Sequence, residues 1–263
     1  MRIRQQGSFN NGYNAITQMN GKHSDMLMDF GILKLDQEQK MISVDDKERA
    51  YLLIKGEVIF EWDEHKVTAK RVSCFDENPW CLHVPQNERV TITSVSEDSE
   101  IAVQATNNEK SFPAKLYTPE ECMSEQRGQG TMKETSTRTV RTIFDKSNTE
   151  HANLVLGEVI DHPGKWSSYP PHHHPQPEIY FYKFYPENGF GYAELGEDVV
   201  KVRNNDTVTI AEGLTHPQAT APGYAMYYLW VIRHLDSNPY ITPTFVEEHT
   251  WVMDKEAKIW PDK

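Results

Sequence analysis

Long apolar runs are missing from this 263-residue chain. Nowhere do the roughly 18 consecutive apolar residues of a membrane-crossing helix occur, so no membrane span is expected. A charged start followed by an apolar stretch is also absent from the N-terminus, which leaves secretion unsupported. Cysteine is scarce: Cys74, Cys81 and Cys122 form no CxxC pair and cannot all pair with one another. They read as small packing residues of a reduced, cytoplasmic protein. Positive charge is in deficit, with 27 Lys and Arg against 39 Asp and Glu and a formal charge of -12. Nucleic acid and anionic membrane reward clustered cations, so neither is expected as a partner. No basic helical segment could serve a DNA-binding helix-turn-helix. Helical periodicity is rare throughout, and what remains is a small molecule or another protein as the partner.

What is present is β structure. Short runs rich in Val, Ile, Tyr, Phe and Thr recur between turns of Gly, Asn, Asp and Pro, the pattern of an all-β sandwich or barrel. One series spans Leu27 to Ala105 and a second spans Thr139 to Ile232. Between them, residues 111–137 are polar, carry Pro113, Pro119 and the turn Arg127-Gly128-Gln129-Gly130, and read as a linker. Two β domains, 1–110 and 138–263, are therefore expected on either side of it. Exposed strand edges often pair between copies, so a homo-oligomer is expected as well.

The chemistry gathers in the second half. In Tyr169-Pro170-Pro171-His172-His173-His174-Pro175-Gln176-Pro177-Glu178-Ile179-Tyr180, residues His172, His174 and Glu178 share one parity of an extended strand. His173 has the opposite parity. Gly213-Leu214-Thr215-His216 offers a third imidazole about 40 residues later in the chain. Three nitrogens and one oxygen from His172, His174, Glu178 and His216 suit one divalent ion and leave positions open for substrate. With no thiolate in the set, Zn or Mn is the expectation, Fe and Ni staying open. A merely solvated His-rich loop would need neither the carboxylate nor the later histidine. The first half contains no HxH and should carry no metal.

These motifs resemble the cupin superfamily, with its HxHxxxE and terminal GxxH motifs. The resemblance narrows through Trp166-Ser167-Ser168-Tyr169-Pro170-Pro171-His172, Pro186-Glu187-Asn188-Gly189-Phe190-Gly191 and Ala221-Pro222-Gly223-Tyr224. Those stretches look like the 5-deoxy-glucuronate isomerase family of inositol catabolism, itself similar to 4-deoxy-L-threo-5-hexosulose-uronate ketol-isomerase. The resemblance implies two tandem cupin jelly-roll barrels, only the second holding metal. It also implies aldose-ketose isomerisation of 5-deoxy-D-glucuronate to 5-dehydro-2-deoxy-D-gluconate with no organic cofactor. A cupin dioxygenase using Fe(II), or an isomerase of another deoxy-uronate, would employ the same ligands.

For proton transfer the candidates are Glu178, Tyr182 and His249, the last in a tail, Glu248-His249-Thr250-Trp251, that matches the family. His234 is a further candidate base. Tyr180 shares the ligands' parity and suits the hydroxyls of a sugar acid. The substrate's carboxylate needs a cation. Arg138, Arg141, Lys183 and Arg233 lie nearest in sequence, and Lys183 drops out on parity. Arg141 is preferred, with Arg233 beside it.

Overall fold

The computed structural model describes residues 1–211 and 213–262, which form β-strands and three short 3-10 turns without any α-helix. No described helix is long and apolar enough to cross a membrane. The chain divides into two compact units, and these interleave in sequence. One comprises residues 6–123 and 142–156, the other residues 1–5, 124–141 and 157–263.

The first unit is built around one long strand, Glu48–Trp62. Its first half pairs with Cys81–Val84 and Ser99–Thr106, and its second half pairs with His65–Arg71 and Val90–Ser94. A register shift between Leu53 and Lys55 separates the halves. The extra residue of such a bulge reverses the alternation of side chains. Core positions are accordingly odd before it, at Tyr51 and Leu53, and even after it, at Val58, Phe60 and Trp62. Gly56 just beyond has φ +110°, and a Cβ there would lie 2.3 Å from Ser99 Oγ, so only glycine fits.

A seven-stranded sheet, most of it in the second unit, runs in the order Arg2–Ile3, Thr207–Ile210, Glu178–Tyr185, Ala225–Arg233, Leu154–Asp161, Arg138–Phe144, Met123–Arg127. A four-stranded sheet runs Trp166–Ser167, Gln218–Thr220, Phe190–Leu195, Asp198–Arg203. The core takes alternate residues from both: Tyr180, Tyr182 and Phe184 from one strand, Met226 and Tyr228 from its neighbour, Ala193, Leu195 and Val202 from the smaller sheet. Each large side chain buried in this way contributes about 1.5–3 kcal/mol. The result is the all-β pair of cupin barrels expected from the motifs. Trp230, inward on the strand beside Glu178, needs Gly157 opposite it, where a Cβ would stand 2.3 Å from its ring.

The division differs from the consecutive 1–110, 111–137, 138–263 of the sequence reading. Arg2–Ile3 pairs with Thr207–Ile210 in the second unit. Within the stretch taken as linker, Lys115–Tyr117 pairs with Cys81–Val84, and Met123–Arg127 is the edge strand beside Arg138–Phe144. Pairings of two or three residues with distant partners leave no periodic trace in the chain, which is why composition drew the boundary elsewhere.

Candidate metal centre

The HxHxxxE segment is not one continuous strand. His172–His173 is a two-residue strand, residues 174–177 turn through Pro175 and Pro177, and a regular strand begins only at Glu178. Proline cannot donate to a ladder, so the strand breaks there. The turn still brings the ends together. One nitrogen each of His174 and His216 and one Glu178 oxygen lie within 4.8 Å of one another, all three residues buried. His174 Nε2 is 3.2 Å and His216 Nε2 3.4 Å from Glu178 Oε2. His172 is not part of this tightest group, but its ring stands edge-on to that of His216 with centroids 4.8 Å apart.

The three imidazoles are oriented alike. Nδ1 of His172 lies 3.2 Å from the Pro170 carbonyl, that of His174 3.0 Å from Gln176 O, and that of His216 2.9 Å from Leu214 O. A carbonyl only accepts, so each Nδ1 carries a proton, and in the neutral ring Nε2 is the atom left with a lone pair. Metal-binding histidines are held in this way. Burial pushes the His172 pKa down to about 3, with His216 and His174 adding to the effect, and burial also lowers that of His216. Both are neutral near pH 7, the form a metal requires. His216 Nε2 is buried with no hydrogen-bond partner, an expensive state for a polar atom unless something else meets it. The donor set and this orphaned nitrogen fit a divalent ion.

A polar wall adjoins the group. Tyr180, its ring centroid 5.9 Å from that of His216, and Tyr228 share Ser168 Oγ, at 3.3 Å and 3.4 Å from their hydroxyls, and Tyr228 also bonds Ser167 Oγ. Burial raises both phenol pKa values further above their ordinary range. Tyr182, expected in catalysis, is fully buried and donates to Gln218 Oε1 at 2.7 Å, while Gln218 Nε2 donates to the His216 carbonyl at 2.7 Å. It therefore steadies the loop carrying His216, just before the strand Gln218–Thr220. His249 is absent from the gathered group, lying half-exposed beside Glu248 on the turn Glu247–Met253. Buried His234 accepts the Tyr240 amide on Nδ1.

The preferred cations face elsewhere. Arg141 has the parity opposite to inward Val140 and pairs with Glu158 at 3.4 Å, a carboxylate that also accepts from Tyr227. Arg233 bonds its neighbour's carbonyl and Asp236. Arg138 has the inward parity that Val140 sets, so strand alternation alone marks it. No local signal marks the tail: Thr244–Phe245 pairs with His172–His173, Phe245 packs against the His172 ring, and Tyr240 packs against that of His174.

Fold and site together define a two-cupin protein whose second barrel gathers, among the described residues, a His/Glu/His group. A family model described as the KduI/IolB family matches residues 2–252, and the chain belongs to that family. The 5-deoxy-glucuronate isomerase of Geobacillus kaustophilus is 30% identical over 234 residues, covering 80% of each chain. That of Bacillus subtilis strain 168 is 26% identical over 97% of this chain and 98% of its own. With relatives of this kind across its length, the chain is an isomerase. Among solved structures, an IolB-like protein from Salmonella typhimurium superposes with a TM-score of 0.84 at 24% identity, covering 94% of this chain and 97% of that one. Oxalate decarboxylase from Bacillus subtilis shares the fold, with a TM-score of 0.65 at 10% identity over 97% and 80%.

Proposed function

We propose that the protein converts 5-deoxy-D-glucuronate to 5-dehydro-2-deoxy-D-gluconate, with one divalent ion, Zn or Mn, held by His172, His174, Glu178 and His216. The observation that carries this reading is the common orientation of three imidazoles, each with Nδ1 on a backbone carbonyl, around the Glu178 carboxylate. Relatives named for this isomerisation supply the substrate class. When bound, the ion supplies Lewis acidity toward the sugar's carbonyl and neighbouring hydroxyl oxygens.

The remaining chemistry belongs to the side chains. By the proton-transfer route, moving a carbonyl from C1 to C2 takes a proton from carbon 2 and delivers one to carbon 1, where a hydride shift would move the hydrogen directly. Glu178 is the carboxylate of the gathered group, and its Oε1, the oxygen not turned toward His174 and His216, takes the carbon-bound proton. Tyr180 and Tyr228 stay neutral, so their hydroxyls donate to oxygens that gain charge as the enediolate forms. Ser168 Oγ between them both donates and accepts, and passes a proton from one sugar oxygen toward the other.

The test is turnover of 5-deoxy-glucuronate in D2O without oxygen, followed by NMR. Expected are isomerisation without O2 or nicotinamide, loss on chelation, recovery with Zn or Mn, and deuterium at the carbon that receives the proton. Oxygen uptake with another substrate, and no turnover of any deoxy-uronate, would move the protein to the dioxygenases. Turnover without deuterium would retain the isomerase and reject Glu178 as an exchanging base.

A further inference from the structure

A sugar acid carries a carboxylate at the end remote from the carbon being isomerised, and a chain of net charge -12 repels it at long range. A local cation has to receive that group. Most cations near the metal barrel's strands are already engaged. Arg141 is paired with Glu158 on the outer face, and Arg233 with the His234 carbonyl and Asp236. Lys183 lies over Phe181 and Lys201 over Phe190.

Arg138 is different on three counts. Its parity matches inward-facing Val140, so it looks into the barrel. Its Nη1 is anchored to Ser136 O and Oγ at 2.7 Å and 2.8 Å, while Nη2 reaches only a long 3.4 Å contact to the Tyr169 carbonyl. One edge of the planar fork is thus fixed and the other is left for a ligand. Its charge is also felt at His172, Tyr180 and Tyr228, the residues that border the metal centre.

Asp161 supplies the independent observation. It is inward on the neighbouring strand Leu154–Asp161 and has no exposed surface, yet neither carboxyl oxygen has a hydrogen-bond partner. Arg138 is the one opposing charge it senses. Two such groups would normally close into a bidentate pair, and here they do not. Burial holds the Asp161 carboxyl well above the usual carboxylate range, which weakens its hold on the guanidinium. Arg138, Ser168, Tyr169 and His172 are half-buried, whereas His174, Glu178, Tyr180 and His216 are buried. The guanidinium thus belongs to the less buried margin that Ser168, Tyr169 and His172 form beside the gathered ligands.

We infer that Arg138 is the specificity-determining residue that receives the substrate's carboxylate, through the fork edge held only by the long contact to the Tyr169 carbonyl. This rests on the sugar-acid reading of the site. Its test uses binding, so that the two can fail separately. Calorimetry on the metal-loaded protein compares D-glucuronate with D-glucuronamide, which differ in the charge of the terminal group. The intact protein should prefer glucuronate by about tenfold to a hundredfold, the usual value of hydrogen bonds to a charged partner. Arg138→Met should remove that preference while metal content and thermal midpoint stay unchanged. Arg138→Lys, which keeps the charge and loses the fork, should retain only part of it. Should Arg138→Met fold poorly, an undiminished preference in Arg138→Lys would overturn the assignment. So would a preference that survives Arg138→Met, one lost in Arg141→Met instead, or none in the intact protein. A clear preference for glucuronate in a protein that isomerises no deoxy-uronate would reject the proposed reaction and keep Arg138 as the carboxylate receptor.

Discussion

Each barrel buries a glutamate against a histidine, and the two pairs are treated in opposite ways. In the first unit Glu48 Oε1 lies 2.8 Å from His83 Nε2, and the carboxylate also accepts Asn108 Nδ2 at 2.7 Å and the amides of Asn153 and Leu154 at 2.7 Å and 3.2 Å. The His83 ring is stacked on Phe144, centroids 4.2 Å apart. Every acceptor position there is met by the protein itself. In the second unit Glu178 has around it imidazoles whose Nδ1 protons point outward to carbonyls, and the Nε2 of buried His216 has no hydrogen-bond partner. A saturated buried carboxylate holds strands together. An unsaturated set of acceptors calls for a cation, and the difference separates a structural Glu–His pair from a functional one without reference to either motif.

The largest way to break this comparison is to remove one imidazole from each barrel's pair. His216→Ala should abolish stoichiometric metal, read by elemental analysis, and lower turnover by about a thousandfold or more, because the several kcal/mol of Lewis-acid stabilisation go with the ion. Full metal retention in that variant would reject the centre. His83→Ala should leave metal in place and reduce stability instead.

Next in size is Glu48→Ala, which strands the donors of Asn108, Asn153 and Leu154 in the interior. A loss on the order of 3–5 kcal/mol in urea unfolding is expected. A loss under about 1 kcal/mol would mean that the network is not structural.

The pH dependence should carry opposite signs in the two units. Burial works against ionising Glu48, but His83, the Asn153 amide and Asn108 outweigh it and hold its pKa below the ordinary 4.5. The folded state then binds fewer protons than the unfolded one. Its stability contribution is complete above about pH 4.5 and is lost as pH falls through the folded value. Asp161 behaves in reverse, since its pKa is raised above 3.8 chiefly by burial. The folded state keeps a proton that the unfolded state has released, so stability declines as pH rises above 3.8 toward the folded value. Glu48→Gln should flatten the acid limb of a stability profile and Asp161→Asn the limb above it. Identical profiles for both variants would contradict the two environments.

Much of this was legible from the chain because strands alternate with period two wherever one face is buried. Tyr180, Tyr182 and Phe184 fell on the core face for that reason, and His216 was marked by its turn glycine. Long-range pairing was not legible: nothing near Arg2 announces Thr207, and nothing near Phe245 announces His172. Proline misled in a more instructive way. Strand parity alone joins His172, His174 and Glu178 along one strand, whereas in the structure a turn through Pro175 and Pro177 does the joining. Arg141 lies on a strand the composition marks, but its pairing with Glu158 on the face opposite Val140 has no local signal.

The smallest expected effect is at His173, and it tests that turn most sharply. Its backbone pairs with Thr244 while its neighbour His172 pairs with Phe245, so adjacent side chains leave a short strand on opposite faces. His173 is near enough for its charge to act on His216, yet none of its atoms belongs to the gathered group. If position on the strand decides ligation, His173→Ala should retain stoichiometric metal, keep turnover within about twofold, and change stability by less than about 0.5 kcal/mol, as a substitution away from core and site does. His172→Ala should weaken metal retention markedly. Equal losses from the two variants would mean that the tract binds as a flexible cluster of imidazoles, and the contrast between a saturated first barrel and a built second one would no longer hold at this edge of the site.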